Sequence, residues 1–262
     1  MKKALSILAL LSVNIFLVPT LSAGQPPGES ASDAWSLTQS VVSHHMFRGL
    51  ELGGAAFQPA IEYNEGSLGL GIWASIPLRD KGPGQSDPEF DLYGYYAMKI
   101  AGGLTVVPGL TIYTYPEARP TNGFYRATVE PNVAFTYAIG PVQVTPKFHY
   151  DLVRKGPTFE ITAGFAIPLK HLGSELDITG TAGTYKWTDH AARAEPAVKN
   201  WGDYFLFGIA APFQINSRSN ITLAWSYAKG AHNFLKQGTA PKYANPGAAG
   251  RGIMTVSYAI SF

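Results

Sequence analysis

The 262-residue chain has no cysteine. Disulfides, thiolate nucleophiles and cysteine-based metal sites are therefore excluded, as is the lipid-modified cysteine of a lipoprotein. Charge is scarce. Asp, Glu, Lys and Arg make up 15% of the residues, against about 25% in ordinary soluble domains. Long apolar runs are also missing. Only the N-terminal stretch is unbroken, and it is short for a membrane-spanning helix of about 20 residues. Mean hydropathy is +0.01, so the chain is not a helical membrane protein. Without Lys2 and Lys3 the basic and acidic residues balance at 18 each, which leaves no net charge for holding nucleic acid. No segment of useful length follows a helical period.

What is present is concentrated at the two ends. Lys2 and Lys3 precede the apolar run Ala4 to Val18, then Pro19 and small residues through Ala23. This is the pattern of a secretory signal peptide, residues 1–23, cut near Ser22 to Gly24. Residues 24–33 form a short polar leader expected in the periplasm, and 34–262 form one domain. At the other end, Met254, Val256, Tyr258, Ile260 and Phe262 alternate with Thr255, Ser257, Ala259 and Ser261. A strand that runs to the last residue and stops on Phe suits an outer-membrane barrel, where lipid meets the apolar face and the last strand pairs with the first. Tyr258, Ile260 and Phe262 together resemble the terminal signal read by the barrel-assembly machinery. An ordinary last strand of a soluble sandwich is the competing reading of this segment.

The same period of two recurs throughout. Val142, Val144, Phe148, Tyr150 and Leu152 alternate with Gln143, Thr145, Lys147, His149 and Asp151. Ile221, Leu223, Trp225 and Tyr227 alternate with Thr222, Ala224, Ser226 and Ala228. The pattern predicts twelve strands, near 34–47, 56–63, 68–77, 89–100, 104–115, 124–137, 142–151, 158–168, 175–186, 203–213, 220–228 and 253–262. Gln39 and Ser43 break the parity of the first. Short links rich in Gly, Asn or Ser alternate with mostly longer ones, as periplasmic turns alternate with extracellular loops. The expected fold is an all-β, transmembrane, up-and-down antiparallel β-barrel of about twelve strands in the bacterial outer membrane.

Phe47-Arg48-Gly49 leads into Gln58-Pro59-Ala60-Ile61. Gly71-Ile72-Trp73-Ala74-Ser75, Glu89-Phe90-Asp91-Leu92-Tyr93-Gly94-Tyr95 and Tyr113-Thr114-Tyr115-Pro116 follow. This ordered series resembles the TorF-type porins of Gram-negative bacteria, described by a Gcw-type conserved domain. The resemblance covers about the first half of the exported chain and implies an outer-membrane barrel that acts as a channel. It supplies no substrate. Glu51-Leu52-Gly53-Gly54 is more apolar than the corresponding family loop, and His44-His45 departs from the family pattern.

If the apolar partners face lipid, the lumen receives Glu62, Asp91, Tyr93, Tyr95, Lys99, Tyr113, Tyr115, Arg126, Glu130, Lys147, His149, Asp151, Glu160 and Asp177. Such a set either selects solutes at a constriction or fills a narrow barrel and holds it closed. Arg126 and Glu130 stand about 13 Å apart along one strand, so each needs a cross-strand partner. Arg154, Lys155, Lys229, Lys236, Lys242 and Arg251 form an expected basic extracellular rim. That rim would steer anions or meet lipopolysaccharide phosphates. The expected activity is passive diffusion of small hydrophilic solutes, weakly favouring anions, with outer-membrane lipid, lipopolysaccharide and the assembly machinery as partners. A structural or adhesive barrel acting through its loops is the alternative.

Catalysis is the third class. Ser43-His44-His45 and the pair His149 and Asp151 are the candidates, but neighbouring strand residues point to opposite faces. That keeps Ser43 from His44 and denies His44-His45 a chelate. No enzyme, cofactor or metal site is expected.

Overall fold

The computed structural model describes residues 34–78, 88–117, 126–186, 201–231 and 250–262. The expected signal peptide and leader lie outside them. The strands are β1 (Trp35–Val42), β2 (His45–Phe47), β3 (Leu50–Gly53), β4 (Ala56–Glu65), β5 (Leu68–Pro77), β6 (Glu89–Tyr96), β7 (Met98–Lys99) and β8 (Thr105–Thr114). After them come β9 (Ala127–Ile139), β10 (Val142–Asp151), β11 (Gly156–Leu169), β12 (Ser174–Lys186), β13 (Trp201–Asn216), β14 (Ser219–Ala231) and β15 (Arg251–Ser261).

All but β2 and β3 belong to one sheet. β6 and β7 are one strand interrupted at Ala97, so the ring has twelve staves, and every pairing is antiparallel between chain neighbours. The last strand closes on the first. Trp35 N–H donates to the Phe262 carbonyl at 3.1 Å, and Phe262 N–H donates to the Trp35 carbonyl at 3.0 Å. Closure removes the sheet edges, so every wall strand finds a neighbour on both sides.

Alternation sets the two faces. Ile72 is 48% exposed, while its neighbour Trp73 is 2% exposed. Leu70, Leu92, Phe159, Ile161, Leu223, Trp225 and Val256 share the outer apolar surface. The inner surface carries Ser, Thr, Gln, Tyr and charged side chains. Several inward tyrosines lie over a glycine on the neighbouring strand. Tyr93 pairs with Gly71, Tyr95 with Gly69, Tyr204 with Gly183 and Tyr185 with Gly202. A Cβ on Gly71 would sit 2.3 Å from the Tyr93 ring, and one on Gly183 would sit 2.3 Å from the Tyr204 ring. Glycine there lets the ring lie flat against the wall instead of projecting across the lumen.

Ala34, Phe262 and the links at 66–67, 100–104, 140–141, 170–173 and 217–218 lie at one end of the barrel. The strand ends that lead into the longer links, at Pro77, Glu89, Thr114, Ala127, Lys186, Trp201, Ala231 and Arg251, lie at the other, the long-loop end.

The first strand is shorter than its pattern suggests. It ends at Val42 and not at residue 47. Residues 45–53 turn away from the wall as a separate antiparallel hairpin, β2–β3. Its tip is Arg48-Gly49, with φ of +47° and +74°. Positive φ at both central residues is the two-residue turn that suits strand twist. At Arg48 this conformation costs about 1–2 kcal/mol.

Candidate functional site

The hairpin tip crosses the lumen at the long-loop end. Phe47 meets the Tyr113 ring of β8 edge-on, with centroids 5.8 Å apart. On the far side, a Cβ on Gly49 would lie 2.5 Å from the Cα of Gly230 in β14. β8 and β14 are six staves apart in the ring of twelve, so the tip is wedged between opposite walls. Phe47 and Leu50 pack with Tyr113, Tyr115, Tyr185 and Tyr204 in one cluster. This apolar contact docks the tip.

Arg48 then enters a buried polar network. Its Nη1 donates to Glu130 Oε2 at 2.9 Å and its Nη2 to Glu130 Oε1 at 2.7 Å. This two-pronged pairing fixes the guanidinium plane. The Tyr113 hydroxyl also donates to Glu130, at 3.2 Å. His149 stands between two carboxylates, with Nδ1 2.8 Å from Glu130 Oε1 and Nε2 3.2 Å from Glu160 Oε1. The Tyr204 hydroxyl donates to Glu160 at 2.5 Å, and Lys147 faces Glu160 directly across the β10–β11 ladder. Residues from β8, β9, β10, β11, β13 and the hairpin thus meet at one level. Two carboxylates there face Arg48, Lys147 and an imidazole. Removing Glu130 leaves the buried Arg48 charge without its carboxylate, a loss of about 3–5 kcal/mol.

Beside the hairpin, His45 Nε2 lies 3.4 Å from Glu89 Oε2, and His45 Nδ1 lies 3.2 Å from the Ser75 hydroxyl. Asp91, cross-strand from Trp73, is buried close by. At the short-turn end, the Tyr93 hydroxyl donates to Glu62 at 2.7 Å, and the Tyr95 hydroxyl donates to Asn64 at 2.6 Å.

Residues 28–205 match the family model described as "Bacterial protein of unknown function (Gcw_chp)". The match covers more than half of the chain and extends well beyond Pro116. The chain belongs to this family. No curated protein is significantly similar to it. Among solved structures it is similar to a NanC porin, at 10% identity over 87% of this chain and 100% of that one, with a TM-score of 0.51. It is similar also to the KdgM porin in complex with disordered oligogalacturonate, at 9% identity over 87% of this chain and 99% of that one, with a TM-score of 0.52. LpxR from Salmonella typhimurium aligns at 10% identity over 87% and 100% of the two chains, with a TM-score of 0.49. At such identities the likeness to the two porins shows the barrel architecture alone.

The segment Phe47-Arg48-Gly49 is the tip of the lumenal hairpin. Arg48 was absent from the residues expected inside, yet it anchors the network. Among those expected inside, Tyr113, Glu130, Lys147, His149 and Glu160 are brought together around it. Asp91 and Tyr115 lie beside them at the long-loop end. Glu62, Tyr93, Tyr95 and Asp177 belong to the other end. Asp151 accepts the backbone N–H groups of Val153 and Arg154 at 2.9 and 2.7 Å, so it shapes the tight turn after β10.

Two residues expected in the lumen stand at its ends and are exposed. Lys99 is exposed beside the turn at 101–103, and Arg126 is exposed ahead of β9, which begins at Ala127. Lys99 pairs with the buried Thr105, and the Arg126 carbonyl accepts the Tyr115 N–H at 2.7 Å, so both keep the strand parity at the rims of the wall. The partner of Glu130 is Arg48.

The rim is also altered. Lys229 continues the outward parity of Leu223, Trp225 and Tyr227 and is exposed on the outer face of β14. Arg251 Nε pairs with Glu51 Oε2 at 2.8 Å, so its charge is compensated by β3. Arg154 lies in the field of Glu89 and Asp151. Lys155 is exposed in the turn after β10, while Lys236 and Lys242 lie outside the described residues.

The expected separation of Ser43 from His44 does not hold. β1 stops at Val42, and the Ser43 hydroxyl lies 3.2 Å from His44 Nδ1. That hydroxyl also accepts the Met254 N–H at 3.0 Å, whereas His44 Nε2 stands 3.8 Å from Glu51. The last distance is beyond hydrogen-bond reach. Tyr258 and Phe262 are exposed on the outer face of the closing seam, with Ile260 between them.

Proposed function

We propose that this protein is an outer-membrane channel of porin type that passes small hydrophilic solutes by passive diffusion, with the β2–β3 hairpin as its constriction. The observation that carries this reading is the hydrogen-bonded charge network around Arg48 inside a closed barrel with an apolar outer surface. A barrel built only for its outer surface has no use for paired buried charges, which are costly to desolvate. A polar, hydrated lumen does. The named porins among the structural neighbours support the same reading. In this orientation the short turns face the periplasm and the long links face outward. The terminal Phe262 serves barrel assembly, and the exposed Lys229 meets lipopolysaccharide. The expected anion preference is not part of this proposal, because Lys229 faces outward and Arg251 is compensated by Glu51.

A second reading has one observation in its favour. The hairpin reaches from wall to wall, as it would in a sealed barrel that acts through its long loops. Planar-bilayer recording separates the two. Refolded protein from about Gly24 onward should give discrete conductance steps, and Arg48→Ala should enlarge them. Silence from both proteins, each heat-modifiable and therefore folded, would overturn the channel reading in favour of the sealed barrel.

A further inference from the structure

Below the hairpin, the wall formed by β11 to β15 is lined with small side chains. One cross-strand row runs Ala166, Asp177, Ala210, Ala224 and Thr255. Asp177 is the single large polar group in that row. It is 0% exposed, and neither carboxylate oxygen has a hydrogen-bond partner among the described residues. A buried carboxylate in this state costs several kcal/mol unless a counter-charge or water reaches it. Glu175, one pleat nearer the turn on the same face, adds a second acid. Glu62 adds a third from the far wall, where it is held by Tyr93.

Among the described residues no buried base stands at this end of the lumen. The bases described at the short-turn end, Lys99, Lys170 and Arg218, are all exposed at or beside turns. Among the described residues the buried acids are Glu89, Asp91, Glu130, Asp151, Glu160, Glu175 and Asp177, and the buried full-time bases are Arg48 and Lys147. Even with His45 and His149 both protonated, acids outnumber bases by seven to four. Fixed charge of one sign in a low-dielectric tube raises the concentration of the opposite ion and sets selectivity.

We infer that the lumen takes cations, with Asp177 as the binding position below the hairpin. The ligand class is small and positively charged, an alkali ion or a compact organic ammonium. This rests on the channel reading. It runs against the anion preference that the basic residues of the long-loop end suggested.

The test is the reversal potential in a potassium chloride gradient, recorded on wild-type protein and on Asp177→Asn and Glu175→Gln/Asp177→Asn variants. These replacements remove charge with little change of shape. The expected result is a cation-directed shift in wild type, with the potassium-to-chloride permeability ratio falling about twofold or more in the double variant. An anion-directed shift, or a ratio unchanged by both variants, overturns the inference and leaves the channel intact. Absence of conductance in wild type and in Arg48→Ala refutes the channel reading, and this inference falls with it.

Discussion

Gly230→Ala is the sharpest perturbation of the hairpin, because it changes neither charge nor any hydrogen-bonding group. An ideal Cβ at position 230 would lie 2.5 Å from the Gly49 carbonyl oxygen, 3.1 Å from its carbonyl carbon and 3.4 Å from its Cα. Ordinary carbon–oxygen contact is about 3.3 Å or more, so one partner must retreat by roughly 0.8 Å. The wall strand is held on both sides by β13 and β15. The tip is the part free to move. Arg48 and Gly49 share one tight turn, so the guanidinium is carried with it. Contacts of 2.7 and 2.9 Å to Glu130 stretched by that amount approach about 3.5 Å or more, the limit of useful hydrogen bonding. Each such charged hydrogen bond contributes about 1.5–3 kcal/mol. Losing the equivalent of one shifts the docked-to-undocked ratio of the hairpin at least about tenfold.

The added methyl group itself only narrows the bore. A larger mean conductance or open probability in the Gly230→Ala channel can therefore come only from a displaced hairpin. Bilayer recordings and a heat-modification control read this directly. Identical conductance and open probability in folded Gly230→Ala protein would refute the assignment of the hairpin as the barrier.

Other perturbations address stability and assembly. Glu130→Ala strands the Arg48 charge and should cost about 3–5 kcal/mol in urea unfolding from detergent. The apolar pair Arg48→Met/Glu130→Leu should recover most of it, and a double variant no better than Glu130→Ala counts against the pairing. Gly71→Ala drives a Cβ into the Tyr93 ring and should lower the temperature of heat modification; adding Tyr93→Ala should reverse most of the loss if ring packing is the cause. Deleting Phe262 removes one seam hydrogen-bonding residue and an exposed terminal ring. It should reduce outer-membrane levels in cells far more than refolding yield in detergent, whereas an equal fall in both would make its role purely structural.

The twelve wall strands were legible because lipid on one side and a polar lumen on the other force a period of two. Pattern reading failed where that physics stops. His45, Met46 and Phe47 are all buried, since a hairpin enclosed within the lumen has no lipid face and hence no alternation to report. The same cause placed Ser43 and His44 on opposite faces when β1 had already ended. Lys229 was readable, because it extends the outward series of Leu223, Trp225 and Tyr227. The Arg48–Glu130 contact was not, because no local spacing links residues 82 positions apart. Its only trace was the Phe47-Arg48-Gly49 motif, whose Arg-Gly occupies the two positive-φ positions of the turn.

The two halves of the lumen also separate two properties that many channels combine. The hairpin cluster includes Tyr185, near the long-loop end of β12, while Asp177 lies near the start of the same strand. Eight residues of strand place them about 26 Å apart, well beyond the distance at which substitutions couple directly. Barrier and charge preference should therefore respond independently. Gly230→Ala should raise conductance without moving the reversal potential, and Asp177→Asn should move the reversal potential without changing open probability. The combined variant should show both effects at their single-variant sizes. Strong non-additivity would mean that the ions sense the Arg48 charge and Asp177 together, which would place selectivity at the hairpin and not in the vestibule behind it.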